Sequence, residues 1–326
     1  MKIKPTKTTA VSPANIAFIK FWGKKDPKIN LPYNNSISMN LSNCRTTSTV
    51  EFISSLTEDE VVINSKRVDE NVSARVSVFL DIIRQWSGVK TKARVCSVNN
   101  FPSDAGIASS ASAFSALALA GSRAAGLNLS LKKLSILARM GSGSACRSLV
   151  DGFGEWWKGT NFDNSYAVQL AKPSYWDLVD VVAVVSADKK KSSSTEGHGV
   201  AETSPYFIQR VANLPKRISA LKKAFKSRDF DEFGRLIEEE AIDLHVMAMT
   251  SHPPIFYLTS GTFAVIEKLK ELREKNIKGF FTMDAGPNVH VICQAKDAQT
   301  INRTLKKLTC VKFTIVNRPC EGTRII

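Results

Sequence analysis

Asn99-Asn100-Phe101-Pro102-Ser103-Asp104-Ala105-Gly106-Ile107-Ala108-Ser109-Ser110-Ala111-Ser112 leads into Ala113 to Ala118 and joins two kinds of structure. Upstream, Ala93 to Val98 alternates apolar and polar residues, as a half-buried strand does. Downstream, the run from Gly106 to Gly126 is rich in Ala, Ser and Leu and poor in β-branched residues, which predicts a long helix. The turn between them is small and polar. Backbone N–H groups at a helix N-terminus attract phosphate, and small side chains let an anion come close. Ser109 and Ser110 add two hydroxyls that can donate hydrogen bonds or touch a metal ion. The stretch does not follow the GxxxxGK[ST] phosphate-loop pattern, and a plain small-residue helix start is a second reading of the same residues.

Working outward, Thr46 to Ser54 and Val61 to Ile63 read as strands. Val72, Val76, Phe79, Leu80 and Ile83 recur at helical spacing over 69–86. A second helix covers Leu129 to Met140, with Ser130 as its cap. Val179 to Val185 is continuously apolar, as a strand buried on both faces is. Residues 187–200 then turn to Lys, Ser, Thr, Glu and Gly and read as a loop and a boundary, dividing the chain into 1–186 and 187–326. Beyond it lie helical stretches at 205–226, 229–250, 260–275 and 297–307, with strands at 279–283, 289–294 and 311–316. Strands and helices mix in both halves without a regular alternation, which predicts an α+β fold with mostly antiparallel sheets.

A chain of 326 residues suffices for two domains or one bilobal unit with a substantial core. With 43% hydrophobic and 23% charged residues it is neither disordered nor fibrous. No stretch approaches the length of an apolar membrane span, and Met1 to Phe21 lacks the apolar core of a signal peptide. The six cysteines form no CxxC pair and no zinc-ligand pattern, so they read as free thiols in a reducing compartment. Lys and Arg outnumber Asp and Glu by 45 to 30, a formal charge of +15. Such a balance favours anionic partners, although the basic residues are scattered and the one dense run is Lys189-Lys190-Lys191. A nucleic-acid binder would need basic residues gathered on one face with exposed aromatics, and no recognition motif of that kind is present.

Three further motifs carry chemistry. Gly141-Ser142-Gly143-Ser144-Ala145-Cys146-Arg147-Ser148 places two hydroxyls on glycine-flexed backbone beside a guanidinium, which grips carboxylate or phosphate at two points. Asn15 to Asp26 is an apolar strand that ends in aromatics and a basic cluster, with Lys24 as an anion ligand or a solvated strand end. Asp284-Ala285-Gly286-Pro287-Asn288 sets a single carboxylate after an apolar strand, and alone would read as a turn aspartate. His245 and His290 lie in helical and strand patterns with no metal spacing between them, and read as structural.

Together these motifs resemble the GHMP kinase superfamily and, within it, the diphosphomevalonate decarboxylases. The resemblance runs in order along nearly the whole chain: the stretch from 14 with IKFWGKKD and LPYNNSISMNLS, the latter ending at Ser42, then NNFPSDAGIASSASAFSALA, GSGSACRSLVDGFGEWWKG and MDAGPN. It implies a GHMP kinase fold, with a ribosomal-protein-S5-like N-terminal region packed on a ferredoxin-like C-terminal region and the active site in the cleft between. It also implies a cytoplasmic homodimer that uses ATP and Mg²⁺, binds no nucleic acid or membrane, and acts in isoprenoid synthesis. The reaction implied is phosphorylation of a tertiary 3-hydroxyl followed by loss of phosphate and CO₂, which yields isopentenyl diphosphate. By the same resemblance Asp284 would orient or deprotonate that hydroxyl, and Lys24 would tune the aspartate and neutralise phosphate charge. Arg147 would hold the substrate carboxylate, with Ser142 and Ser144 beside it. Pro102, Ser103, Asp104, Ala105, Gly106, Ile107, Ala108, Ser109, Ser110 and Ser112 would cradle the nucleotide phosphates, with Ser109 and Ser110 touching the metal ion.

Two departures bear on the substrate. The family commonly carries tyrosine where this chain has Phe21, and its hydroxyl contacts the phosphate tail. Ser192 to His198 matches the diphosphate-binding loop, with Ser194 and Thr195 as contacts, but some members have arginine in place of Thr195. A 5-phosphomevalonate decarboxylase, which needs fewer tail contacts, and a mevalonate 3-kinase are the neighbouring readings.

Overall fold

The computed structural model describes residues 6–102, 109–187 and 192–326. In chain order, β1 (Lys7–Ile19) is followed by the short pair β2 (Lys24–Asp26) and β3 (Leu31–Pro32), then by β4 (Ser36–Ile53), β5 (Glu60–Ile63) and β6 (Lys66–Arg67). Helix α1 (Glu70–Ser87) leads to β7 (Lys92–Asn99), α2 (Ser109–Ala124), α3 (Leu131–Gly141), β8 (Phe153–Trp156), β9 (Ala167–Ala171) and β10 (Leu178–Val184). The remainder comprises α4 (Ser194–Val200), α5 (Phe207–Ser227), α6 (Phe230–Met249), α7 (Ser260–Glu274), β11 (Gly279–Thr282), β12 (Val289–Gln294), α8 (Ala295–Leu305), β13 (Phe313–Asn317) and β14 (Arg324–Ile325).

The first sheet runs β14-β1-β4-β7-β5-β6, with β8 added alongside β4 and β9 alongside β8. All its pairings are antiparallel except β5 with β7. The β1–β4 ladder extends from Lys7 opposite Glu51 to Ile19 opposite Ile37 and slips twice, at Pro13/Asn15 and at Ala17/Ile19. The first slip accommodates a proline that has no N–H for the ladder. The second lies just ahead of Lys20, and such irregularities re-aim the side chains that follow. Val76, Phe79, Leu80 and Ile83 of α1 and Phe114, Leu117 and Ala118 of α2 pack with Val50, Phe52 and Val95 of this sheet.

The second sheet is wholly antiparallel, in the order β11-β12-β10-β13. Both faces of β10 are covered. Val179, Val181 and Ala183 join Leu269 and Leu272 of α7 and Ile301 and Leu305 of α8. Leu178, Val182 and Val184 join Leu221 and Phe225 of α5 and Phe233 and Ile237 of α6. The same cluster includes Ile16, Phe18, Ile37 and Met39 of the first sheet, so α5 and α6 are gripped between the two sheets and one core spans both.

The mixed α+β architecture with mostly antiparallel sheets agrees with the reading of the sequence. Three details correct it. A division at 186/187 falls after β10, yet β10 is an inner strand of the second sheet, and β14 returns to pair with β1 through Ala10 and Ile325. Within the stretch read as loop, Ser194–Val200 is helical: Ser193 accepts from the Glu196 N–H and Glu196 accepts from the Ser193 N–H, a capping box. Strands β8 and β9 were not anticipated, since four or five residues carry too little periodicity to register. All six cysteines are free thiols.

Phe233 is fully buried where Phe18, Phe225 and Trp176 meet it edge-on or tilted. Truncation there opens a cavity at the junction of the two sheets. Phe233→Ala is expected to lose about 3–5 kcal/mol of stability, read as a lower midpoint of urea unfolding.

Candidate active site

A cleft of ≈ 460 Å³ opens where the end of β1, the start of α2, the segment after α3, the start of α4 and the turn after β11 converge. Its lining carries the cations Lys20, Lys24, Arg75 and Arg147 and the carboxylate of Asp284. A concave surface with this imbalance focuses positive potential and concentrates anions.

Asp284 faces Lys20. The Lys20 ammonium is 2.7 Å from Asp284 Oδ1 and donates a second hydrogen bond to the Ala17 carbonyl at 2.6 Å, and the residue is only 1% exposed. Burial alone would raise the Asp284 carboxyl, but the charge and hydrogen bond of Lys20 outweigh it and hold the group ionised, below the usual carboxylate range. Burial likewise lowers Lys20, while Asp284 acts to keep its proton on. Lys24, to which the tuning of Asp284 was ascribed, does not perform it. Its own pKa is lowered by burial and by Arg75, and Asp284 has no part in that shift. Lys24 lines the cleft as a separate cation, and among the described residues no carboxylate pairs with it. The signal for Lys20 was present in the sequence: a lysine inside the apolar run Ile16 to Trp22 is buried by its neighbours and therefore needs an anion.

Arg147 is 3% exposed, and among the described residues its guanidinium donates to neutral oxygens. Nε donates to Ser38 Oγ at 3.0 Å, Nη1 to Ser36 Oγ at 2.5 Å and Nη2 to Asn15 Oδ1 at 3.1 Å. Asn15 is itself anchored through its amide to Ser148 Oγ at 2.8 Å. These bonds fix the plane of the guanidinium without neutralising it, which leaves the charge for an incoming anion. Beside it the hydroxyls of Ser110, Ser142 and Ser144 stand in succession at 3.2 and 3.4 Å. Ser109 and Ser110 open α2 on the cleft wall. Pro102 and Ser112 are not part of the lining. The Ser112 hydroxyl instead meets Thr46 Oγ1 at 2.6 Å and the Ser109 carbonyl at 3.1 Å, inside the core, so it is not free for a nucleotide. Ser103, Asp104, Ala105, Gly106, Ile107 and Ala108, and Lys189 to Lys191, lie outside the described residues.

Phe21, Ser193, Ser194 and Thr195 complete the wall together with His198, which the reading of the sequence left without a role. The Phe21 ring lies 4.2 Å from the His198 ring and 4.7 Å, edge-on, from Trp156. Gly143 makes room for it, since a Cβ there would sit 2.5 Å from Phe21 Cε1. Gly23, at φ +82, donates its N–H to His198 Nδ1 at 3.1 Å, which leaves the ring proton on Nε2. Burial, with Lys24 and Arg210 nearby, lowers His198 to about 3, so the imidazole is neutral. His245 is lowered to about 3 by burial and by Lys20. His290 sits in the second sheet with Nδ1 3.0 Å from Asp180 Oδ2, as befits a structural residue.

The mixed α+β fold and the cationic cleft, with Asp284 its one carboxylate among the described residues, agree with a protein of GHMP-kinase type. Comparison with known proteins narrows the class. The family model for the diphosphomevalonate decarboxylase-like N-terminal domain matches residues 12–167, and that for the mevalonate 5-diphosphate decarboxylase C-terminal domain matches 180–322. The diphosphomevalonate decarboxylase of Candida albicans is 36% identical over 297 residues, 86% of this chain and 82% of that one. The mevalonate diphosphate decarboxylase of Staphylococcus aureus superposes with a TM-score of 0.93 at 36% identity over 98% of both chains. A solved complex with MVAPP, AMPPCP and magnesium superposes equally well, at 0.93 and 34% identity over 98% of both chains. The chain belongs to the diphosphomevalonate decarboxylase family.

The pairing of Lys20 with Asp284 has a measurable sign. In Lys20→Met the main opposing charge is gone while Arg147 remains, so the Asp284 carboxyl is expected to titrate higher than in the wild type. Carbon-13 NMR titration of the aspartate carboxyls checks this, and an unmoved Asp284 resonance would show that Lys20 does not hold it.

Proposed function

We propose that this chain catalyses the ATP-dependent decarboxylation of (R)-5-diphosphomevalonate to isopentenyl diphosphate, releasing ADP, phosphate and CO₂. The observation that carries the reading is the presence in one cleft of an ionised Asp284 held by Lys20 and of Arg147 paired, among the described residues, with no carboxylate. Membership of the family and the related complex with MVAPP, AMPPCP and magnesium support it.

Each group has work suited to its surroundings. Arg147, with Ser142 and Ser144 beside it, binds the substrate carboxylate. Asp284 receives the proton of the 3-hydroxyl as its oxygen takes the γ-phosphoryl group and the bond to ADP breaks. The new phosphate then leaves with the C–O electron pair. The carboxylate carbon departs as CO₂, and the C–C electrons form the alkene. Asp284 passes its proton to the departing phosphate, and the regenerated carboxylate favours the positive charge that develops at the tertiary carbon beside it. Lys24, Ser194 and Thr195 take the phosphate tail, while Ser109, Ser110 and the N-terminus of α2 take the nucleotide phosphates.

Magnesium fits this cleft as a nucleotide-borne ion. Among the described residues no cluster of His, Cys, Asp or Glu could cage a metal, and Asp284 is engaged by Lys20. The hydroxyls of Ser109 and Ser110, with Ser142 next to Ser110, are hard oxygen donors of the kind Mg²⁺ accepts beside phosphate oxygens. The ion would neutralise charge on the transferring phosphates. Among the described residues no helix is long and apolar enough to cross a membrane. The family likeness supports a cytoplasmic homodimer, and sedimentation equilibrium giving only monomer would refute the dimer.

Phe21 and Thr195 favour one neighbouring reading, a decarboxylase of 5-phosphomevalonate, because neither offers the phenol or guanidinium that a diphosphate tail would use. Product analysis with ATP and mevalonate bearing zero, one or two 5-phosphates separates the two. CO₂ release from the diphosphate supports the first reading, and release from the monophosphate alone supports the second. Phe21→Tyr is expected to lower the KM for the diphosphate about two- to twelvefold, the worth of about 0.5–1.5 kcal/mol of binding, at unchanged kcat, since a tail contact binds ground and transition states alike.

Asp284→Ala is expected to reduce turnover about 10²- to 10⁴-fold with the fold intact by circular dichroism. Arg147→Lys keeps the charge but loses the planar grip, and is expected to be severely impaired in the same assay. A rate near wild type would make Arg147 structural.

A further inference from the structure

Lys20 is held by more than Asp284. Glu240, on α6, is completely buried and reaches across from the helical layer to the end of β1. Its Oε1 accepts the Lys20 backbone N–H at 3.0 Å and a bond from Arg210 Nη2, and its Oε2 accepts from Arg217 Nη1 at 2.7 Å. Arg217 also pairs with Asp243. The Lys20 carbonyl in turn accepts from Asn34 Nδ2 at 3.0 Å and from Arg210 Nη2 at 3.4 Å. Both backbone polar groups of the lysine that grips Asp284 are therefore fixed by an ion cluster outside the cleft lining.

Stability does not call for such a cluster. Replacing buried ion networks by apolar side chains of similar volume is often neutral or stabilising. Here the network is also incomplete, since Arg210 Nε and Nη1 have no partner among the described residues. Its distinctive product is a fixed Lys20 backbone and a second buried negative charge near the lysine.

We propose that Glu240 is a positioning residue: it acts through Lys20, fixing that residue at the floor of the cleft and supplying the negative charge that, after Asp284, holds the ammonium there. This rests on the roles of Lys20 and Asp284 in the proposed reaction. The charged and titratable groups facing Lys20 are Asp284 from the turn after β11, Glu240 and the neutral His245 from α6, Arg147 from the segment after α3, and Arg210 from α5. Burial and Arg147 favour loss of the Lys20 proton, whereas Asp284 and Glu240 oppose it. Removing the charge of Glu240 leaves Arg210 and Arg217 against Asp243 alone, so Lys20 must deprotonate at lower pH.

NMR titration of lysine-labelled protein, with the Lys20 signal assigned through Lys20→Met, tests this without substrate. The midpoint is expected to fall by about half a pH unit or more in Glu240→Gln and to stay near wild type in Glu240→Asp, which keeps the charge. In turnover assays the alkaline limb of the pH–rate profile should move the same way, with kcat lowered about tenfold or more and the KM for ATP changed less than about threefold. A folded Glu240→Gln with an unmoved Lys20 midpoint overturns the proposal, because a purely structural role would not shift it. If Glu240→Gln does not fold, Arg217→Gln serves instead: it removes a competing cation, so the midpoint should rise, and an unchanged value overturns the proposal equally. Failure of the wild-type chain to release CO₂ from diphosphomevalonate would refute the reaction and leave the titration standing as a separate result.

Discussion

A lysine ammonium that has lost its water must find an anion, and in this chain that requirement ties the two sheets together. Lys20 stands at the end of the first sheet's β1, and Asp284 follows β11 of the second. The buried ammonium of Lys20 is costly without the carboxylate, which itself stands half-buried on the cleft wall. The slip in the β1 ladder before Ile19, the buried carboxylate of Glu240 and the turn after β11 all bear on where this pair sits. A shift between the sheets would open the pair, so the packing of α5 and α6 between them is also a constraint on the chemistry.

The crowding of cations around one carboxylate accounts for the other electrostatic features of the cleft. His198 and His245 are neutral because each is buried, with Lys24 and Arg210 close to the first and Lys20 close to the second. A neutral His198 accepts the Gly23 N–H at Nδ1, which a protonated ring could not do, and its face lies against Phe21. Arg147 is held by three neutral oxygens, and this keeps its charge available without letting the side chain wander. The cleft is thus arranged for a ligand that brings several negative charges with it.

Much of this was legible in the sequence. Apolar spacing located α1, α3, α5, α6 and α7 to within a few residues, and the unbroken apolar run of β10 announced a strand covered on both faces. Arg147, Ser109 and Ser110 stood out because their motifs set polar groups in small, flexible surroundings, Asp284 gained its role only through the family resemblance, and the structure brings all four to one cleft. The apolar run Ile16 to Trp22 marks Lys20 as buried and in need of an anion, but not which anion, because Asp284 lies far along the chain on the other sheet. Ser112 was included with its neighbours because a helix start gives no hint of which hydroxyl turns toward the sheet. The membership of β10 in the second sheet could not be read at all, since sheet order depends on non-local pairing rather than on local pattern.

The pairing of β14 with β1 has a consequence for synthesis. β1 is an early strand, and the partner that covers its outer edge follows every element of the second sheet. While the chain emerges from the ribosome, the first sheet can assemble around β4 and β7, but the flank of β1 keeps a row of unpaired N–H and C=O groups. Such an edge is a template for another chain. The nascent protein therefore has this edge open at Ala10 and Val11 throughout translation of the second sheet, until Ile325 and Arg324 reach them.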